Sequence, residues 1–107
     1  MDIKDLSKRA VEIKEKYHKL EKKKFGKEWI NTQIVEGFVG DVGDLMKLAM
    51  AKEGIREIEN LDEKLAHELA DCLYSVLVLS EKYGINIEKS FLETMNRLDE
   101  KIKKGKA

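Results

Sequence analysis

Four acidic residues in two short patterns are the side chains most able to do chemistry in this sequence. Asp41 and Asp44 form one pair in EGFVGDVGDL, and Glu68 and Asp71 form another in HELAD. On a helix, residues three apart are neighbours, with Cβ atoms about 5–6 Å apart. Closely spaced carboxylates raise one another's pKa, and a divalent cation removes that repulsion. Because carboxylate oxygens suit Mg²⁺ or Mn²⁺, the two pairs predict a metal site.

The first acidic pair falls within a segment of helical apolar periodicity, which predicts a second helix over about 27–52. At about 100° per residue, residues 34, 41 and 48 lie along nearly one line, so Asp41 is expected on the apolar side. Each interior glycine costs a helix roughly 0.5–1 kcal/mol relative to alanine. We therefore expect the local glycines to let a neighbouring helix or a phosphate-bearing ligand approach; they are Gly37, Gly40 and Gly43.

Three further segments have the same periodicity, which predicts an all-α bundle of about four helices. The third helix should cover about 63–83, capped by Asn60 or Asp62, and the fourth should follow Asn86 as its cap. On the first helix, which should end near Gly26, the predicted apolar seam is Ile3, Leu6, Ala10, Ile13, Tyr17 and Leu20. We treat 1–107 as one domain whose residues 103–107 form a frayed tail.

The second half of the third helix reads LYSVLVLS, and its apolar residues face almost every direction. Such a helix is buried all round. Four helices of one chain rarely surround one of their own completely. We therefore expect homo-oligomerisation, as a homodimer or homotetramer, to complete the bundle.

Composition limits the class of protein. The 107 residues include 21 basic and 21 acidic side chains, so a net charge of zero disfavours generic binding to nucleic acid or acidic membranes. No apolar run approaches the roughly 18–20 residues of a membrane span, and the first residues lack the apolar core of a signal peptide. With Cys72 as the single cysteine, no intrachain disulfide can form, and we expect a cytoplasmic protein.

At the acidic pairs the sequence resembles the MazG-like family of all-α nucleoside triphosphate pyrophosphohydrolases. The family signature is E-x-x-E followed, after a dozen to nearly thirty residues, by E-x-x-D. GDVGDL is similar to the family's EEVGEL, and HELADCLYSVLVLSEKYGINIE is similar to EELADVLIYLLRLADKLGIDLE. The resemblance spans about residues 29–100.

This resemblance implies an oligomeric helical bundle that hydrolyses a nucleotide to its monophosphate and pyrophosphate. Carried over to this chain, the Mg²⁺ ligands and catalytic acids are Asp41, Asp44, Glu68 and Asp71, with the general base left unassigned. Members of the family often have an aromatic residue that stacks on the nucleotide base, and Trp29 stands at that position in this chain. Arg56, Asn96 and Arg97 are further candidates for contacts with the substrate's phosphates.

Several positions depart from the family pattern, and they keep other functions open. The first pair is Asp-Asp, Gly40 replaces an acid that often precedes it, and Thr94 and Leu98 stand where the family has lysine and asparagine. These features favour, as an alternative, a non-catalytic module that binds metal or nucleotide or serves in oligomeric interactions. A relative of phosphoribosyl-ATP pyrophosphatase is a further alternative.

Overall fold

The computed structural model describes residues 2–26 and 31–105 of the chain, and these ranges contain four helices and no strand. The helices are α1 (Ile3–Phe25), α2 (Asn31–Lys52), α3 (Leu61–Lys82) and α4 (Ile87–Lys103). The all-α prediction is therefore confirmed. Residues 27–30, where the second helix was predicted to begin, lie outside the described part.

Local signals set most of the helix ends. Asp2 and Asp5 form a reciprocal capping box at the start of α1, and Gly26 ends that helix at φ 77° in the left-handed region that favours glycine. The Oδ1 atom of Asn86 accepts a hydrogen bond of 3.1 Å from the backbone N–H of Lys89, so the predicted cap of α4 is confirmed. Asn60 occupies the N-cap position of α3 with φ 54°, but its side chain makes no capping hydrogen bond.

Helix α3 is the centre of the fold because it packs against both α1 and α2, whereas α4 makes only marginal helix–helix contacts among the described residues. The buried core cluster draws one residue each from α1 and α2 and two from α3: Ala10, Ile34, Leu77 and Val78. Two ion pairs tie the helices together. Lys82 of α3 lies 3.3 Å from Glu15 of α1, and Lys52 of α2 lies 2.8 Å from Asp62 of α3.

The predicted apolar seam of α1 is only partly correct. Ala10 is buried, and Ile3 and Ile13 are half-buried. The other seam positions are exposed: Leu6, Tyr17 and Leu20. The buried face is instead rotated towards Ser7, Ala10, Lys14 and His18. Small side chains at 7 and 10 permit close helix packing, and the Lys14 ammonium lies 3.6 Å from the Glu21 carboxylate, which offsets the cost of burying a charge.

The second half of α3 is only partly enclosed by its own chain. Ser75, Leu77, Val78 and Ser80 are buried, and the Ser80 hydroxyl donates a hydrogen bond of 2.7 Å to the carbonyl of Val76. Leu73 of the same segment is 46% exposed, so the described chain does not bury LYSVLVLS on every side. Within residues 2–26 and 31–105, no helix is both long enough and apolar enough to cross a membrane.

Candidate metal centre and its flanking cavities

Helices α2 and α3 bring three of the four predicted acids together. One carboxylate oxygen from each of Asp41, Asp44 and Glu68 lies within 4.8 Å of the other two. Asp41 and Asp44 share a face of α2 because they are three residues apart, and Glu68 approaches from the half-buried side of α3. Oxygens this close can share one divalent cation, whose preferred ligands in proteins are carboxylates.

The environment of Glu68 fits a bound cation. Its Oε1 atom is buried and has no hydrogen-bond partner. Burial raises the pKa of the Glu68 carboxyl, and the negative charges of Asp41, Asp71 and Asp44 raise that pKa further. A buried carboxylate without a partner is unfavourable. Coordination to a metal ion would satisfy the orphaned oxygen and neutralise the three charges at once.

Asp71, the fourth predicted ligand, stands beside this group of three. Its Oδ2 atom lies 3.2 Å from Nε2 of His67, one helical turn earlier on α3. His67 is an exposed residue. Its contact with Asp71 was missed, although their i,i+4 spacing could have suggested it. The prediction that Asp71 is a metal ligand remains a prediction.

Two cavities adjoin the acidic residues. The first has a volume of about 490 Å³ and is lined by Asp44 and Glu68 together with the basic side chains Lys47, Lys64 and His67. The Lys47 ammonium lies 3.9 Å from Asp44. Glu63 also lines this cavity, which therefore presents ammonium groups and carboxylates side by side, an arrangement suited to a ligand that carries both phosphate and metal.

The second cavity has a volume of about 370 Å³ and lies between α1, α2 and α3. Its lining includes Asp41 and Asp71 together with Tyr17, Tyr74 and Ile34. The Tyr74 hydroxyl is buried with no hydrogen-bond partner, and burial is the main cause that raises its pKa to about 12. It is therefore a neutral hydroxyl near pH 7, free to donate to or accept from a ligand.

The glycines of α2 do not have the helix-packing role that the sequence suggested. A Cβ atom added at Gly40 or Gly43 would meet nothing within 4 Å, so no other helix within residues 2–26 and 31–105 approaches these two positions. That part of the expectation is wrong. Gly37 lines the second cavity, so the absence of a side chain there keeps space beside Asp41.

The residues suggested for contacts with the substrate's phosphates do not lie beside the acidic residues of the same chain. Arg56, Asn96 and Arg97 are exposed, and none of them lines either cavity. Trp29 lies outside the described residues. Lys47, Lys64 and Tyr74 do line the cavities. The sequence did not predict this, because the positions of these side chains at the site depend on how the helices pack.

The chain was compared with known protein families. The family model described as the MazG nucleotide pyrophosphohydrolase domain matches residues 49–105, just over half of the chain. The matched segment contains Glu68 and Asp71, whereas Asp41 and Asp44 precede it. No curated protein and no solved structure matches the chain.

Proposed function

The chain belongs to the MazG nucleotide pyrophosphohydrolase family, and on that premise we propose that it hydrolyses a nucleoside or deoxynucleoside triphosphate to the monophosphate and pyrophosphate. The reaction would depend on Mg²⁺, with Mn²⁺ as a substitute, and would remove surplus or non-standard nucleotides in the cytoplasm. The observation that carries this proposal is the group of three carboxylates at the α2–α3 contact, with an orphaned oxygen on Glu68.

Asp41, Asp44 and Glu68 would hold the metal, and Asp71 would contribute from the next turn of α3. Bound there, Mg²⁺ would neutralise charge on the phosphate oxygens and position a water molecule for attack. The side chains of Lys47, Lys64 and His67 line the adjoining cavity. The ammonium groups of Lys47 and Lys64 would balance part of the negative charge of the phosphate chain.

The second cavity is the part of the site suited to the nucleoside. Its volume of about 370 Å³ lies at the lower end of the roughly 300–1,000 Å³ typical of small-molecule sites. Its walls combine the apolar side chains Ile34 and Val78 with two tyrosines. Because Asp41 and Asp71 also line this cavity, a nucleoside held inside would have its phosphates close to the metal ligands.

Tyr74→Phe tests this placement of the nucleoside. Loss of one hydrogen bond, about 0.5–1.5 kcal/mol, should raise KM for the nucleotide roughly 2- to 10-fold. The same variant should melt at an equal or higher temperature, because the hydroxyl is unsatisfied in the free protein. Tyr83→Phe, at an exposed tyrosine beyond α3, is the control and should change neither quantity. An unchanged KM in Tyr74→Phe would exclude a substrate contact for this hydroxyl.

A non-catalytic metal- or nucleotide-binding module is the second candidate function. The observation that favours it is on α4, where Leu98 occupies the position of the family's asparagine and is exposed among other apolar side chains. Such a module would retain the acidic site and bind ligands without turnover. It differs from the enzyme in one measurable property, the release of pyrophosphate.

The decisive assay offers the purified protein each common nucleoside and deoxynucleoside triphosphate, and phosphoribosyl-ATP, with Mg²⁺ or Mn²⁺. We expect metal-dependent release of monophosphate and pyrophosphate from at least one compound, and loss of that release in Asp41→Asn. Absence of release from every compound, with metal binding still detected by calorimetry, would favour the non-catalytic module.

A further inference from the structure

A buried ion pair forms part of the wall of the second cavity. The side chains of Lys14 and Glu21 are 9% and 13% exposed, and the Lys14 ammonium lies 3.6 Å from the Glu21 carboxylate. Both residues belong to α1 and line the cavity between α1, α2 and α3. Removing one partner of such a pair is costly, yet two well-packed apolar side chains in place of both are often at least as stable. The stability of the fold therefore does not explain why these charges line a cavity.

The pair lies in the part of the cavity that a base would occupy. Asp71 and Val78 both line the cavity, and their spacing of seven residues separates them by about 10.5 Å along α3. Tyr74 lies between them, one turn beyond Asp71. Burial is the main cause that raises the pKa of Tyr74 to about 12, and the negative charge of Glu21 also raises it, so Glu21 faces the same part of the cavity. With the phosphates of a nucleotide near Asp71, its base would lie beside Tyr74 and the Lys14–Glu21 pair.

We infer that Lys14 and Glu21 select a guanine base. This inference deepens the proposed function and rests on it, because it takes the second cavity as the place of the nucleoside. Guanine presents two parallel N–H donors, at N1 and at the 2-amino group, beside one acceptor, O6. The Glu21 carboxylate can accept both N–H bonds as it would accept the fork of an arginine, and the Lys14 ammonium can donate to O6.

The other common bases match the pair less completely. Adenine, cytosine, uracil and thymine each present a single N–H donor group on the edge that would face the carboxylate. One oxygen of Glu21 would then lose its water without gaining a hydrogen bond, which is unfavourable. The Tyr74 hydroxyl can either donate or accept and therefore suits any base. The discrimination between bases falls to Glu21, with Lys14 providing the bond to O6.

The binding of α,β-methylene analogues tests this inference without turnover, because the methylene group blocks cleavage between the α and β phosphates. Calorimetry on the full chain with Mg²⁺ would give the dissociation constants of the analogues of GTP, ATP, CTP and UTP. The guanine analogue should bind about 10-fold or more tightly than each of the others, the discrimination typical of one bidentate contact. Equal dissociation constants for the four analogues would overturn the inference.

Two variants assign the preference to the pair. Glu21→Gln should abolish it, because an amide has one accepting oxygen and turns its NH₂ group towards a donor of guanine. Lys14→Met combined with Glu21→Leu removes both charges, so neither is left buried alone, and this double variant should also bind the four analogues with similar affinity. Glu12→Gln makes the same change at an exposed position of α1 and should keep the guanine preference. A preference retained by the double variant would show that the pair is only structural and would overturn the inference.

The outcomes separate this inference from the proposed reaction. Release of pyrophosphate from natural triphosphates, without a guanine preference in binding, would overturn the assignment of the base and leave the hydrolase intact. Guanine-selective binding without release from any natural triphosphate would support the assignment and favour the non-catalytic module. Failure of every analogue to bind, together with no release, would overturn both.

Discussion

Glu68→Gln should lower metal-dependent pyrophosphate release by about 10²–10³-fold, the range lost when one preorganised electrostatic contact is removed from a catalytic site. The substitution keeps the size of the side chain and its place on α3. It replaces a carboxylate oxygen that is buried and unpartnered by a neutral amide, which is a poor ligand for Mg²⁺. The measurement is kcat/KM at saturating metal on whichever nucleotide the wild type hydrolyses.

The matched control for this substitution is Glu81→Gln. It makes the same chemical change on an exposed residue of the same helix, away from both cavities beside the acids. Its kcat/KM should equal that of the wild type. Retention of more than a tenth of wild-type activity by Glu68→Gln would exclude an essential role for this carboxylate in metal binding.

The second large effect concerns stability, and its sign differs between the metal-free and the metal-bound protein. Without metal, Glu68→Gln should stabilise the fold, because burial and three neighbouring carboxylates disfavour the ionised form of Glu68. The relief should be about 1 kcal/mol, the energy of two like charges 4 Å apart in water-like surroundings. For a chain of this size that corresponds to a rise in melting temperature of about 4–8 °C in chelator near neutral pH.

The raised pKa of Glu68 also fixes the direction of the pH dependence. Folding favours the protonated carboxyl, so its contribution to stability is fully present below the ordinary value of 4.5. That contribution is lost as pH rises through the higher pKa of the folded state. Metal-free wild type should therefore lose stability over the window above 4.5 relative to Glu68→Gln. Thermal melts in chelator across that window measure the difference, and parallel curves for the two proteins would contradict the assignment.

Divalent metal should reverse the order of the two proteins. At a free concentration about 100-fold above its dissociation constant, a ligand stabilises the folded state by about 2.7 kcal/mol. The wild type should gain that amount with Mg²⁺ or Mn²⁺, and Glu68→Gln should gain far less. An equal increase in melting temperature for both proteins would show that the metal binds elsewhere.

The sequence predicted the parts of this molecule that depend on local spacing. The i,i+3 pairs on α2 and α3 predicted which carboxylates could meet, and three of the four do. Gly26 and Asn86 predicted where α1 ends and where α4 begins, because a left-handed φ and a side-chain cap are properties of a few adjacent residues.

The orientation of α1 and the cavities could not be predicted in the same way. The apolar pattern favoured a face with Leu6, Tyr17 and Leu20, yet the packed face carries Lys14 and His18. A hydrophobic pattern gives no weight to a buried Lys14–Glu21 pair. The place of Tyr74 in the second cavity follows from that packing. Both depend on contacts between distant segments, which periodicity within one helix does not report.

The most direct test of the proposed reaction is ³¹P NMR of the products formed from a hydrolysed nucleoside triphosphate with Mg²⁺. Cleavage between the α and β phosphates should give paired signals of the nucleoside monophosphate and pyrophosphate in equal amounts, and both should be absent in chelator. Formation of the nucleoside diphosphate and inorganic phosphate, or an unchanged triphosphate spectrum for every nucleotide tried, would contradict the proposed function.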